Sequence, residues 1–556
     1  MPRRARLARP RAPALAVLSA LLAGAPAAAQ EVVWSGAVTV AADVDVPAGT
    51  TLRIEPGTTV ELGGGVSIRV SGRLLGEGTE AEPIRLTRSA PGVTWGRLMF
   101  IEAADSVLRH ATVEFSDCEG DHKDYYDDQD SSCDPLLDRS PRTYHEAIVV
   151  LASHVDIESC TFRNLPDDGA GGEGDAIAVI SDDPEHPGAA TANIRDCQFL
   201  SIGQGIHTRY SYVLVEGCYF NDHHGDNDDV DLYGESNPPP LIRDNVFLDP
   251  AHDDMINPTR CSAIIIDNLI AGSDDHGVVL RDRCDPIVMN NVIYDCSSAG
   301  IAVQNSCDAL IANNTIVDCG RGIRFFDHTG RWGLPYCLHP GSGRATIVNT
   351  VIWSCPTPLD LDDTPYEEDR GSHATVIHCA IQGGQANLSV SGSSTLTWGE
   401  GNIDADPMFV DAASGDFRLE EGSPLIDAGT SNSAPDHDLG GTARPCGEGV
   451  DIGAWESGEC AGGAGPRFRR GDGNADGKVD ISDPIRVLLH LFVDGAPLAC
   501  QKSADADDSG AVDLADAVYG LDHLFTSGSA PPAPGPACGV DPTDDELGCE
   551  AYGACP

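Results

Sequence analysis

The chain has 556 residues, and its 35 Lys and Arg stand against 87 Asp and Glu for a formal net charge of −52. That balance excludes binding to a nucleic-acid backbone, which requires clustered cations. The chain is too long for one ordinary core, and with 61 glycines and only 6% aromatics it points to a repeat array or several domains.

Residues 1–29 open with Arg3, Arg4, Arg6, Arg9 and Arg11, continue through an apolar run from Ala14 to Gly24, and end in Ala27, Ala28 and Ala29 before Gln30. This order reads as a cleaved signal peptide, and the apolar run is too short to cross a bilayer. No later stretch reaches transmembrane length, so the mature protein is expected to be secreted or cell-surface, with no membrane span. Nineteen cysteines in an exported chain predict disulfides, and the odd number leaves one over.

Residues 30–458 carry short β-patterned runs and a repeat. Asn245, Asn268, Asn291 and Asn314 fall 23 residues apart, each followed one residue on by Phe or Ile; Cys160, Cys197 and Cys218 stand in the same place earlier in the chain. A second series, Ile148, Ile177, Ile206, Val230, Met255, Val278, Ile301 and Ile323, keeps step with it. A fixed period of this size without helices predicts an all-β solenoid whose coils stack about 4.8 Å apart. The asparagines are then expected to form an interior ladder, each amide bonding the next. Cys296 and Cys319 share the register, which allows a vertical disulfide, and Cys118 and Cys133 are expected to close the acidic loop between them. The runs VPAGTTLRIEPGTTVEL and SIRVSGRLLGEGT near the start, with GDFRLEEGSPLIDAG and DIGAWE near Glu456, resemble the opening and closing segments of exported bacterial right-handed parallel β-helix proteins of the pectin-lyase-like superfamily.

Aligning Val230, Met255 and Val278 brings Asp228 and Asp229, Asp253 and Asp254, and His276 and Gly277 to matching places on three successive coils. His207, Arg209, Asp231 and Arg281 occupy neighbouring outward positions. The pieces GDNDDVDL, HDDMIN and DDHGVVL resemble polygalacturonase-type glycoside hydrolases, in which a protonated carboxyl assists the leaving oxygen and a carboxylate activates water. The resemblance implies Asp254 as the acid, Asp229 and Asp253 as base candidates, and His276 as an orienting group. His207, Arg209, Asp231 and Arg281 are then substrate-binding candidates. The family's Arg-x-Lys clamp is absent; Arg324 is followed by Phe325 and Phe326. A polysaccharide lyase would need a basic residue to take a proton, and Lys123 is the only lysine before residue 478. That leaves Arg209, Arg281 or Arg283.

A linker at 459–470 precedes an abrupt change of pattern. Asp472, Asn474, Asp476, Asp480 and Asp483 supply oxygens at positions 1, 3, 5, 9 and 12 of an EF-hand-type loop, with Gly477 at position 6. Thirty-three residues on, Asp505, Asp507, Ser509, Gly510, Asp513 and Asp516 repeat the pattern. Lys478 and Ala511 offer backbone carbonyls at position 7. Each loop leads into a helix carrying the same triplet, His490-Leu491-Phe492 and His523-Leu524-Phe525. Residues 471–527 resemble a type I dockerin, a small α-helical domain. That implies Ca2+ as cofactor and a cohesin-like protein partner, although positions 10 and 11 (Ile481 and Ser482, Leu514 and Ala515) depart from a hydroxyl pair. Residues 528–556 form a Pro- and Cys-rich tail in which Cys538, Cys549 and Cys555 are expected to pair, with Cys500 among the partners. Two functional classes follow: a carbohydrate-degrading or carbohydrate-binding protein tethered through the dockerin-like module, or a non-catalytic matrix scaffold or adhesin.

Overall fold

The computed structural model describes residues 30–116, 146–165, 174–181, 188–223, 228–248, 254–326, 343–362, 371–457, 467–492, 498–526 and 528–535, with 538–541, 543, 547–549, 552 and 555 of the tail. The chain divides into two compact units. The first runs to residue 399 without 348–351 and 377–380; the second holds those two short segments and everything from 400 onward.

In the first unit every turn of the chain lays one strand on each of three parallel sheets, so strands three apart in sequence are neighbours in space. The sheets hold 14, 13 and 13 strands among the described residues. This is the expected parallel β-helix, and its strands run from Gln30–Trp34 to Thr395–Trp398. The strands are short because a coil must turn three times within about 23 residues. First-sheet strands such as His154–Glu158 alternate buried with partly exposed residues, whereas third-sheet strands such as Ile177–Ile180 and Ala299–Gln304 are buried throughout.

The corners explain the Asn and Asp of the repeat. Asp196, Asp244, Asp267, Asn290 and Asn313 all take left-handed backbone, with φ between 52° and 61°. Asn and Asp tolerate that region better than other side-chain-bearing residues. Gly217 holds the same place at φ 65°. One residue later comes the ladder. Asn245 donates to Asn268 (3.0 Å), Asn268 to Asn291 (2.9 Å) and Asn291 to Asn314 (3.0 Å). Each amide also donates to a carbonyl of the preceding coil, as Asn268 does to Ile242 at 3.0 Å. All four are buried, and each satisfied bond contributes roughly 1 kcal/mol. Beside the ladder, Phe162, Phe199, Phe220 and Phe247 stack nearly parallel at 5.1, 4.6 and 4.5 Å.

The cysteine stacks differ from expectation. Cys296 and Cys319 are buried and free, each thiol turned to a carbonyl two residues back in its own coil, Tyr294 and Val317. The vertical disulfide forms at another corner, between Cys284 and Cys307, whose Cα atoms are 4.6 Å apart. Cys118 and Cys133 lie outside the described residues.

One register also differs. Val230 pairs with Ile256, and Ile256 with Val278, so Ile256 and not Met255 continues the apolar series. Met255 and Ile256 are both apolar and the repeat length varies there, which made the sequence alignment ambiguous by one residue. A slip of one exchanges the faces of a strand, with consequences for the site.

The outer face of the first sheet is a charge ladder. Glu77, Arg109, Glu158, Arg195, Glu216 and Arg243 lie in register on successive coils. Arg195 Nε donates to Glu216 at 2.9 Å, and Arg243 bonds the same carboxylate.

In the second unit the strands Phe409–Asp411 and Asp416–Leu419 form an antiparallel pair. The Asn349 side chain both accepts from and donates to the Thr430 backbone (2.9 and 2.7 Å). Further on, helices Ser482–Phe492 and Leu514–Thr526 pack around Val487, Leu498, Ala504 and Ala517. Disulfides Cys500–Cys549 and Cys538–Cys555 close the tail. Among the described residues no helix is long and apolar enough to cross a membrane.

Candidate functional sites

The third sheet carries the candidate catalytic residues. Its strands Ile206–Arg209, Val230–Tyr233, Asp254–Thr259, His276–Leu280, Ala299–Gln304 and Arg321–Phe326 are consecutive neighbours. With Ile256 in the apolar series, Asp254 pairs with His276. Asp228 lies alongside on the preceding coil, where the Asp229 amide donates to the Asp254 carbonyl at 3.3 Å. The next outward row is His207, Asp231 and Asn257.

These side chains form a buried polar cluster. Asp254 accepts from His276 Nδ1 at 2.7 Å on one oxygen and from Arg281 Nη2 at 2.8 Å on the other. His276 also lies 3.3 Å from Asp275, and its Nε2 is 3.3 Å from Ser298 Oγ. Asn257 donates to Asp228 at 2.6 Å. His207 Nδ1 meets Asp231 at 3.1 Å.

The electrostatics separate the carboxyls. Burial, then the charges of Asp254 and Asp231, push Asp228 well above the ordinary carboxylate range. Burial works against the His276 cation, but its bonds to Asp254 and Asp275 prevail and raise it to about 9. His207 moves up in the same way, burial opposing and Asp231 raising. Burial tends to raise Asp275, yet the bond and charge of His276 hold it below the usual range. The Asp275 side chain is 40% exposed.

Of the sequence candidates, Asp254, His276 and Arg281 meet in one cluster, with His207 and Asp231 on neighbouring coils. Arg209 lies at the outer edge over Tyr210 and Tyr233. Asp229 is fully buried and paired with His223. Asp253 lies outside the described residues. Both oxygens of Asp254 are taken up by His276 and Arg281. Asp228 is also buried, and its surroundings favour the neutral form. Sequence reasoning passed over Asn257, Asp275 and Ser298; Asp275 was visible as the residue preceding His276, but nothing in the pattern separated it from ordinary turn aspartates.

The two acidic loops of the second unit fold alike. Asp472 accepts the amides of Asp476 (3.1 Å) and Gly477 (2.7 Å), as Asp505 accepts those of Ser509 (3.0 Å) and Gly510 (2.8 Å). Asp483 accepts from the amides of Asp480 and Asn474, as Asp516 does from those of Asp513 and Asp507. Gly477 and Gly510 bend at φ 90° and 79°, where a side chain would be strained. The position-1 and position-12 aspartates are all buried. One oxygen from each of Asp505, Asp507 and Asp516 lies within 4.8 Å of the others. Burial, with neighbouring carboxylates, pushes Asp483 and Asp516 up to about 7. This all-oxygen donor set fits a hard divalent cation, whose charge would remove that electrostatic cost.

These features define a right-handed parallel β-helix protein. The sequence matches the right-handed β-helix region family over residues 146–332 and again over 259–404. Among solved structures, the chain is similar to the periplasmic alginate epimerase AlgG, at 14% identity over 64% of this chain and 75% of that one, with a TM-score of 0.37. It is also similar to a mutant tailspike protein of E. coli bacteriophage HK620 in complex with pentasaccharide, at 11% identity over 66% and 71%, TM-score 0.38. A third similarity is to the PL6 family alginate lyase AlyGC, at 14% identity over 71% of this chain and 60% of that one, TM-score 0.35. No curated protein sequence matches.

Proposed function

We propose that the protein is exported and acts on a polysaccharide at the outer face of the third sheet, cleaving it by general acid–base hydrolysis. The observation that carries this is the pair of carboxyls with opposite environments on either side of the Asp254 coil: Asp228, driven toward its protonated form, and Asp275, two coil steps on, held charged and partly exposed. Hydrolysis needs such a split. Asp228 gives its proton to the leaving glycosidic oxygen, while Asp275 takes a proton from the water that adds to the anomeric carbon. His276 and Arg281 orient Asp254 and set the local field. The test is a product assay on folded protein with calcium, following reducing ends and unsaturated-uronate absorbance across neutral and acidic polysaccharides. Reducing ends alone are expected, and Asp228→Asn should lower turnover by about 10²- to 10⁴-fold with unchanged circular dichroism. Unsaturated products would replace hydrolysis with elimination by an arginine base. No product from any glycan would leave the scaffold or adhesin reading.

The acidic loops support a second element of the reading, a dockerin-type module that takes two calcium ions and tethers the enzyme to a cohesin-like partner. Residues Asp472 to Asp483 and Asp505 to Asp516 would hold the ions, with Lys478 and Ala511 contributing carbonyls. When bound, calcium neutralises the crowded carboxylates and so couples loop closure to helix packing. Chelation of the intact protein should reduce helical circular dichroism and expose 471–527 to proteolysis. Unchanged signals in excess chelator would defeat this.

A further inference from the structure

Nine cysteines of the first unit stand in three columns of three. In the first column, Cys160, Cys197 and Cys218 immediately precede the strands Thr161–Arg163, Gln198–Leu200 and Tyr219–Asn221, which pair in register on successive coils. The Gln198 amide donates to the Cys160 carbonyl and the Tyr219 amide to that of Cys197, both at 2.8 Å, so the three residues lie one above another. Their thiols are seated alike. Cys160, Cys197 and Cys218 Sγ lie 3.4, 3.6 and 3.6 Å from the Leu108, Ile157 and Ile194 carbonyl oxygens of the coil before. The Cys197 thiol is within hydrogen-bonding reach of both neighbouring thiols. All three are buried and free. Cys319 stands between Cys296 and Cys355 in the same manner, in reach of both.

The third column already holds a bond. Ile264, Ile287 and Leu310 pair in register, and Cys261, Cys284 and Cys307 each lie three residues before them. Cys284 and Cys307 are joined, with Cα atoms 4.6 Å apart, while Cys261 remains a thiol on the adjoining coil. A column of three sulfurs holds one disulfide at a time. In the first column that bond must include Cys197, because Cys160 and Cys218 are two coil steps apart, roughly 9.6 Å at about 4.8 Å per step, too far for a direct bond. The backbone does not choose between the neighbours, since their seats match. Loop closure chooses weakly: the two linkages span 37 and 21 residues, a preference of about twofold in the unfolded chain. Displacement at sulfur proceeds in line, and the stack sets attacking, central and leaving sulfurs along one direction.

We propose that Cys160, Cys197 and Cys218 form a two-position disulfide, with Cys197 bonded to one neighbour or the other and the third cysteine exchanging with it as the thiol. The bond forms when two thiols give two electrons and two protons to an incoming disulfide, of a small molecule or an oxidoreductase, which departs as two thiols. In the exchange, the Cys218 thiolate attacks Cys197 Sγ, the Cys197–Cys218 bond forms, and Cys160 leaves as a thiolate that takes up a proton, with no net oxidation. The middle cysteine is thus indispensable to the staple, and the outer two replace one another. This rests on the reading of the protein as exported, into a compartment where disulfides persist.

The test is a peptide map by mass spectrometry of the full chain secreted by an exporting host, quenched in acid, alkylated and digested without reduction. Both Cys160–Cys197 and Cys197–Cys218 peptides should appear, neither below about a tenth of the other. In Cys160→Ala and in Cys218→Ala the remaining pair should be joined completely, whereas in Cys197→Ala both outer cysteines should be recovered alkylated. A single linkage in the unaltered protein, or alkylation of all three cysteines, overturns the proposal, and that map needs no variant to fold. If the column is reduced while Cys284–Cys307 and the tail disulfides are intact, this inference fails and export stands. If those bonds are reduced as well, the reading of export falls with it.

Discussion

Two carboxylates in the same solenoid each hold two cationic groups from adjoining coils, and they do so to different ends. On the first sheet Glu216 lies between Arg195 and Arg243, with a quarter of its side chain open to solvent. On the third sheet Asp254 lies between His276 and Arg281, and its side chain is fully buried. The backbone repeat is the same in both. What differs is water: the exposed ladder trades hydration for ion pairing at little net gain, whereas the buried cluster cannot lose a partner without stranding charge. The first arrangement is a surface ladder whose members can be lost singly, and the second is a buried cluster whose members depend on one another.

The comparison is sharpest in a pair of isosteric substitutions. Asp254→Asn should cost about 3–5 kcal/mol in denaturant unfolding near pH 6, because the buried His276 and the partly exposed Arg281 lose their counter-charge. The cost should shrink near pH 9, where His276 can shed its proton. A loss no larger than that of an exposed glutamate would abolish the distinction between the faces.

An intermediate effect is expected from pH alone. His276 is raised from the usual 6.5 to about 9 in the folded protein, so its contribution is complete below about pH 6.5 and disappears as pH rises through 9. Unfolding free energy should therefore decline across that window, and the decline should flatten in His276→Gln. An identical slope in that variant would show that other groups carry it.

The smallest effect belongs to Glu216→Gln, about 0.2–1 kcal/mol per pair broken, and it should fade in 1 M salt, where the Debye length is about 3 Å. The Asp254→Asn cost should persist there. Equal salt sensitivity at the two sites would contradict the burial argument.

The asparagine ladder was legible because its spacing is covalent: Asn245, Asn268, Asn291 and Asn314 needed only a 23-residue coil to fall above one another. The shared fold of the acidic loops 472–483 and 505–516 was legible for the same reason, since their aspartates sit at fixed offsets along a short segment. The Asp/His cluster was legible as a neighbourhood and not as a set of roles. Met255 and Ile256 are equally apolar, so the sequence could not choose which one faced inward. That single residue decided that Asp228, and not Asp229, stands beside Asp254. Arg209 stood out as an outward cation, but its aromatic seat depends on Tyr233 one coil on, and Arg324 gains its place from Phe326 and the stacking that brings it near His276.

By itself, then, the sequence determined the coil period, the left-handed corners with their Asn and Asp, and the matching fold of two acidic loops, because each depends on residues within one coil or one loop. The tertiary structure decided which carboxyl is buried, which cation answers it, and which cysteines join. Those outcomes depend on distances between coils and on the exclusion of water, and residues some 23 apart along the chain acquire them only when the coils stack.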